Sequence, residues 1–152
     1  MALLYDYLSR ANESARDRRK ASRFLAEAAD AVATVTMAPS LYGGFSGVAW
    51  AMAHLERTAV DGNGKYSTSA VDQVLRRWLN RPGWDGEYDL VSGLVGYGVY
   101  AFERLPAATA ADCLGSIVDR LAETAIRRDG GIAWFTPPER LPEQQRRVSP
   151  RG

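Results

Sequence analysis

The sequence is poor in the residues that build metal sites and covalent crosslinks. Its 152 residues include a single cysteine, Cys113, and a single histidine, His54. A zinc site takes three or four ligands, drawn mainly from cysteine, histidine and carboxylate side chains. These two residues alone therefore cannot build a Cys/His zinc site of the usual kind, and a disulfide framework is excluded.

The chain also lacks a marked excess of charge and a long apolar run. Lysine and arginine number 19 against 18 aspartate and glutamate, for a net charge of +1. This balance argues against a protein that binds nucleic acid through a basic field. Asp6 and Arg10 interrupt the N-terminal residues, which lack the apolar run of a signal peptide, and no apolar run elsewhere is long enough to span a membrane. We therefore expect no transmembrane segment and a cytoplasmic location.

Apolar residues at helical spacing predict an amphipathic helix that begins at Ser14 and ends at Pro39. Ser14 and Asp17, three residues later, form a start that resembles a capping box. Another amphipathic helix is predicted over residues 107–128. Its apolar face comprises Leu114, Ile117, Val118, Leu121 and Ala125.

A further amphipathic helix is predicted between these two, with Ser67 or Ser69 as its cap. Its apolar stripe comprises Val71, Val74, Leu75 and Trp78. Residues 60–65, just before it, are rich in residues that tolerate positive φ and are predicted to form a loop.

Two other segments, 41–55 and 90–102, are apolar on nearly all sides, which predicts helices enclosed by other elements. Ser40 is the expected cap of the first, and Asp89 opens the second. The aromatic residues assigned to the core are Trp50, Trp78, Tyr97, Tyr100 and Phe102.

These two apolar segments form an internal repeat with an offset of 49 residues. The offset aligns Leu41 with Leu90, Gly44 with Gly93 and Gly47 with Gly96. Each copy follows an amphipathic helix, so the repeating unit is an outer amphipathic helix paired with an enclosed inner helix. A glycine inside a helix costs about 1 kcal/mol relative to alanine, and close packing must offset that cost.

The C-terminal part of the sequence differs in kind. Residues 130–136 are expected to form a short strand or an irregular β-like segment, whereas residues 137–152 contain four prolines and few apolar residues. We expect residues 1–136 to form the helical-repeat domain and residues 137–152 to form a flexible tail or linker. Trp84 and Trp134, which lie beside loop glycines, are candidates for the edge of a substrate cleft.

The motifs at residues 40–49 and 88–98, followed by Gly-Gly-Ile-Ala-Trp-Phe-Thr at 130–136, resemble the N-terminal portion of the lanthionine synthetase C-like (LanC-like) family. The resemblance covers nearly the whole chain. It implies an all-α fold, an α/α toroid of inner and outer helices that is incomplete here. It also implies a peptide cyclase that adds a cysteine thiol to dehydroalanine or dehydrobutyrine in a lanthipeptide precursor, with a dehydratase as a possible partner.

By this resemblance, Asp89 matches the aspartate of the family motif Asp-x-x-x-Gly-x-x-Gly, and the implied role is acid/base assistance to the thiol and the enolate. The complete family fold is expected to bind zinc. The family motifs that carry its ligands do not occur in this sequence, so we expect no metal to be bound by this chain alone. An N-terminal fragment that is inactive by itself is the resulting expectation.

Other interpretations of these residues stand beside the family roles. Asp89 suits a helix N-cap, His54 a hydrogen-bonded histidine of the core or rim, and Cys113 a small packing residue. The alternatives to a cyclase are a non-catalytic helical-repeat module that binds a peptide or a partner synthetase, and another enzyme built on an α/α toroid.

Overall fold

The computed structural model describes residues 1–58, 67–141 and 143–148. The loop predicted over 60–65 lies outside these residues. The described part of the chain forms seven α-helices, one 3-10 turn at Pro138–Arg140 and one two-stranded hairpin, which confirms the all-α prediction. The elements are α1 Ala2–Ala11, α2 Ala15–Thr34, α3 Phe45–Thr58, α4 Ser69–Leu79, α5 Leu94–Glu103, α6 Ala108–Thr124, β1 Ile126–Arg128, β2 Gly131–Ala133 and α7 Glu143–Val148.

The N-terminal helix α1 is an element that the sequence pattern did not predict. It packs against α2 as a helical hairpin, with the Tyr5 ring stacked on Phe24 at a centroid distance of 5.6 Å. The capping role of Ser14 is confirmed, because its Oγ accepts a hydrogen bond from the Asp17 amide at 3.2 Å. Helix α2 ends at Thr34, several residues before Pro39.

Two other predicted caps are wrong. Helix α3 begins at Phe45, and Ser40 instead donates its hydroxyl to the Tyr42 carbonyl at 3.0 Å in the preceding turn. Thr68 is the N-cap residue of α4, and neither it nor another described side chain caps that helix. The hydroxyls of Ser67 and Ser69 bond to each other at 2.9 Å.

The last predicted helix is shorter than expected, because the chain turns back on itself. Helix α6 ends at Thr124, and residues 126–128 pair antiparallel with residues 131–133. Gly130, at φ +101°, provides the left-handed backbone of the connecting turn. The strand predicted within 130–136 is therefore present as β2, and it pairs with β1, which is formed by residues that were predicted to end α6. Residues 137–141 contain the 3-10 turn, and residues 143–148 form α7.

The helices enclose two apolar clusters. The larger lies among α3, α4, α5 and α6 and comprises Ala49, Leu75, Leu79, Leu94, Tyr97, Tyr100, Ala101, Cys113 and Ile117. The smaller lies among α1, α2 and α3 and comprises Ala2, Leu25, Met52 and Leu55. Three residues expected on apolar faces, Val74, Phe102 and Val118, are exposed, and Phe102 is the most open at 69%. No described element covers the side of α5 that carries Phe102, so enclosure of this inner helix is incomplete.

The repeat recurs in the structure as the same backbone contact within each unit. The amide of Phe45 donates to the Ala38 carbonyl at 3.0 Å, and the amide of Leu94 donates to the Glu87 carbonyl at 3.1 Å. The two donor residues are 49 residues apart in the sequence, and so are the two acceptor residues, which is the repeat offset. In each copy, the loop before the inner helix therefore folds back onto the first turn of that helix.

The repeated glycines permit this loop to approach. A Cβ atom on Gly47 would collide with the Leu41 carbonyl oxygen, and one on Gly96 would collide with the Leu90 carbonyl oxygen. The obstacle in both cases is backbone, which cannot move aside as a flexible side chain can. Close packing is therefore found at Gly47 and Gly96, whereas Gly98, also within an inner helix, has open space around it; that packing offsets the cost of these glycines stays a prediction.

The two inner helices run parallel and in register. The Tyr42 amide donates to the Val91 carbonyl at 3.1 Å, and the His54 Nδ1 lies 3.1 Å from the Glu103 Oε1. Both contacts join residues that are equivalent in the repeat. Because the offset is the same before α3 and near its C-terminal end, the two units are related by one constant displacement along this interface.

Candidate active-site loop at Asp89

The loop over residues 84–93 is held against the N-terminal end of α5 by backbone hydrogen bonds. A helix leaves the amides of its first turn without partners in the helix itself. Here carbonyl groups of the loop accept hydrogen bonds from these amides. Leu94 N donates to Glu87 O at 3.1 Å, Val95 N to Tyr88 O at 3.2 Å and Gly96 N to Asp89 O at 3.3 Å. The backbone of Asp89 is thereby fixed relative to the inner helix.

The Asp89 carboxylate caps a tight turn within this loop. Its Oδ1 accepts the amides of Val91 at 2.6 Å and Ser92 at 3.0 Å, and its Oδ2 accepts the Ser92 hydroxyl at 3.0 Å. The N-cap residue of α5 is Gly93. Interpretation of Asp89 as the helix N-cap is therefore wrong, and the side chain instead forms an Asx-type turn before the helix.

These contacts stabilise the charged form of Asp89. Partial burial by itself would raise the pKa of this carboxyl, but the amides of Ser92 and Val91 and the Ser92 hydroxyl stabilise the anion and hold the pKa below its ordinary value of 3.8. Asp89 is consequently a carboxylate at neutral pH. It remains only partly buried, so that a group brought to the loop can reach it.

Tyr97, in the first turns of α5, supports the loop from below. Its hydroxyl donates to the Ser92 carbonyl at 2.8 Å, and its ring meets Trp84 edge-on at 6.3 Å. Burial, together with the negative charge of Asp89, raises the pKa of Tyr97 to about 12. Tyr97 is therefore a fixed hydrogen-bond donor. Sequence reasoning assigned it to the core and missed this contact, and the Asp-x-x-Ser spacing of Asp89 and Ser92 is the signal that predicts the turn it supports.

The two tryptophans proposed for a cleft edge lie in different surroundings. Trp84 packs on Tyr97, whereas the Trp134 ring lies 6.2 Å from that of Tyr88 and its Nε1 donates to the Leu121 carbonyl at 2.9 Å. A pocket of about 420 Å³ lies beside Trp134. Its lining residues are Tyr88, Trp134, Thr136, Leu141, Gln144, Gln145 and Val148. Trp134 thus borders a cleft next to the Asp89 loop.

Comparison with protein families identifies the chain. Residues 1–146 match the family described as lanthionine synthetase C-like protein. The chain belongs to the LanC-like family. No match was found among curated proteins or among solved structures. The outer and inner helices and their 49-residue repeat are therefore part of the LanC-like α/α toroid.

LanC-like proteins are generally zinc-binding, and the residues described in this LanC-like chain do not fit a zinc ion. Within residues 1–58, 67–141 and 143–148, no three histidine, cysteine or acidic side chains cluster as metal ligands would. Cys113 is buried against the Asp72 carbonyl, and burial raises the pKa of its thiol to about 11, which opposes the thiolate form that a metal requires. Its predicted role in packing agrees with its place in the larger apolar cluster.

His54 has both ring nitrogens engaged. Nδ1 faces Glu103 at 3.1 Å and Nε2 faces the Tyr7 hydroxyl at 2.7 Å, which agrees with the hydrogen-bonded rim histidine predicted from the sequence.

The LanC-like chain also has no described helix that is both long and apolar enough to cross a membrane.

Proposed function

We propose that this LanC-like chain supplies the Asp89 part of a peptide cyclase active site. In that reaction the sulfur of a cysteine adds to the β-carbon of dehydroalanine or dehydrobutyrine in a lanthipeptide precursor. The thiol proton leaves the sulfur, a carbon–sulfur bond forms, and the resulting enolate takes a proton at its α-carbon. The addition has no leaving group and changes no net oxidation state.

The observation that supports the role of Asp89 is the set of hydrogen bonds on its carboxylate. Three donors from Val91 and Ser92 keep it anionic and fix its orientation, while its partial exposure leaves it accessible. The lowered pKa makes Asp89 a weak base, so its role is to hold the thiol in a hydrogen bond and to pass the proton to the enolate carbon as the carbon–sulfur bond forms. The cleft beside Trp134 and Tyr88 places an aromatic surface next to the loop, where a peptide side chain can pack.

Peptide mapping tests the proposal directly. A labelled peptide that contains one cysteine and one dehydroalanine is titrated onto the ¹⁵N-labelled protein, and amide shifts are followed by NMR. We expect the amides of Val91 and Ser92 to shift, and Asp89→Asn to change that response because the charge facing the peptide is lost. Asp119→Asn, on the exposed side of α6, is the matched control. Shifts that avoid the loop, or that are the same in Asp89→Asn and wild type, would contradict the assignment.

Because the described residues do not fit zinc, no step of this proposal passes through a metal, and we expect residues 1–152 alone not to accelerate ring formation. The measurement is the loss of alkylatable thiol in the peptide, followed by mass spectrometry with and without the protein. Stoichiometric zinc in the purified protein, found by elemental analysis, would show that the ligands lie in this chain.

A second candidate function is a non-catalytic module that binds a peptide, with a lanthipeptide precursor or a partner dehydratase as the expected ligand. A pocket of about 460 Å³ between α2, α3 and α4 favours it, because its lining is almost entirely apolar. The lining includes Val32, Val35, Met37, Phe45, Met52 and Val74. If Val74→Asp abolishes peptide binding and Asp89→Asn leaves it unchanged, this second function replaces the first.

A further inference from the structure

We propose that Tyr7 is a nucleophile for acyl transfer, activated by His54 and oriented through Glu103. His54 and Glu103 lie near the C-terminal ends of the inner helices α3 and α5, Tyr7 lies on α1, and the Asp89 loop lies at the opposite, N-terminal end of α5. The Tyr7 hydroxyl is 2.7 Å from His54 Nε2, and His54 Nδ1 is 3.1 Å from Glu103 Oε1. The chain of contacts has the order of a nucleophile, a base and a group that orients the base.

The contacts of Glu103 set the tautomer of His54. The Glu103 carboxylate can only accept a hydrogen bond, so Nδ1 of His54 carries the proton and donates it to Glu103. In the neutral ring, Nε2 then has no proton, and its lone pair faces the Tyr7 hydroxyl. Arg57 Nε donates to the same carboxylate oxygen at 2.8 Å and holds it in place. Trp50 stacks on the imidazole at 5.0 Å with an interplanar angle of 16°, which fixes the ring plane. The base is thus held on two edges and one face.

Burial separates the roles of these groups. The side chains of His54 and Glu103 are only 16% and 11% exposed, whereas Tyr7 is 50% exposed. A shielded base under an accessible hydroxyl is the arrangement that nucleophilic catalysis requires.

The chemistry fits an activated acyl donor, such as an aryl ester or a thioester. The Tyr7 oxygen attacks the acyl carbon while its proton passes to His54 Nε2. A carbon–oxygen bond forms, the bond between the acyl carbon and its leaving group breaks, and the leaving group carries away the bonding electron pair. The proton on His54 is then released to the leaving group or to water, so nothing is oxidised or reduced.

The first test uses a competing tyrosine in the same molecule. Tyr42 is more exposed, at 67%, and its hydroxyl has no base among the residues that the structure describes. The folded protein is treated with 4-nitrophenyl acetate, and acetylation of each tyrosine is followed by peptide mass spectrometry. General-base assistance contributes about 100-fold or more, so we expect Tyr7 to react on the order of 100-fold faster than Tyr42. A ratio below about 10-fold overturns the proposal.

Variants then assign the effect to the base. We expect His54→Gln to reduce Tyr7 acetylation to about the rate of Tyr42, with an unchanged circular dichroism spectrum and an unchanged urea unfolding midpoint as the sign that the fold is intact. Unchanged Tyr7 acetylation in that variant overturns the role of His54. Unfolding wild type in urea gives a second measurement that needs no variant, since the ratio of the two rates must fall to about 1 if the folded cluster causes it. A ratio that persists in urea refutes the proposal.

Discussion

Substitution of Asp72 by alanine is expected to remove a large part of the stability of this fold. Asp72, on α4, is 4% exposed and accepts the Tyr100 hydroxyl at 2.5 Å and Arg104 Nη2 at 3.0 Å. Tyr100 lies on α5 and Arg104 directly follows that helix, so the carboxylate joins an outer helix to an inner one. Burial and the adjacent carboxylate raise the pKa of Tyr100, which keeps its hydroxyl a donor.

The size of the loss follows from what Asp72→Ala leaves behind. Removing one partner of a buried ion pair costs about 3–5 kcal/mol, because the other charge remains uncompensated. The Arg104 side chain is a quarter exposed, so water recovers part of this cost, and we expect about 3 kcal/mol. Among the described residues, the Tyr100 hydroxyl then retains only the Thr68 carbonyl, at 3.4 Å. A domain of this kind has about 5–15 kcal/mol in total.

Urea unfolding, followed by tryptophan fluorescence, measures this difference as a shift of the midpoint at unchanged slope. Asp72→Asn keeps an acceptor oxygen for Tyr100 and is expected to cost about 1–2 kcal/mol. Asp119→Ala, on the exposed face of α6, is the matched control and should stay within about 0.5 kcal/mol of wild type. If Asp72→Ala lies within about 1 kcal/mol of that control, the polar contact does not hold these helices together.

Three further predictions concern the repeat, a cap and the loop. Gly47→Ala should destabilise the protein by more than about 2 kcal/mol in the same unfolding assay, because its Cβ meets backbone. Gly98→Ala, with open space around it, should stabilise the protein by about 0.5–1 kcal/mol. Equal effects of the two substitutions would contradict the packing argument. Ser14→Ala should cost about 0.5–2 kcal/mol through loss of the α2 cap, and a loss much below this range would show that the cap is weak. Ser92→Ala should raise the pKa of Asp89 toward 3.8, as measured by NMR titration, and an unchanged titration would refute the role of the hydroxyl. Because the pKa of Asp89 is lowered in the folded protein, its stabilising contribution is present above about pH 4 and is lost as the pH falls through the folded pKa.

The features that the sequence predicted best are those that depend on neighbouring residues and on the repeat. The Ser14 cap needs only the Asp17 amide three residues away, and its geometry is found as predicted. The glycine pairs are identical in both copies, so the repeat alone indicates that they are close-packing sites. Helix α1 was missed because its first residues offer no capping side chain, and its stability comes from contacts with α2.

Helix starts were harder to predict. The sequence placed the inner helices at residues 41 and 90, but both begin later, at Phe45 and Leu94. The intervening residues fold back so that a carbonyl receives the first helical amide, and a contact between backbone groups leaves no trace in side-chain type. The turn that orients Asp89 was not predicted for a similar reason. Its Asp-x-x-Ser spacing indicates the turn only when a loop is known to precede the helix.

The constant displacement between the inner helices bears on how such a fold can originate. A duplication that produced two identical units would have set each interface residue opposite its own copy. Two glutamates at the position of the His54 and Glu103 contact would repel one another, and two histidines would lack an anionic partner. An unlike pair gives a favourable contact from a single substitution in one unit. Sequence divergence between the copies at this position thus improves the contact that joins them, and exact repeats would lose it.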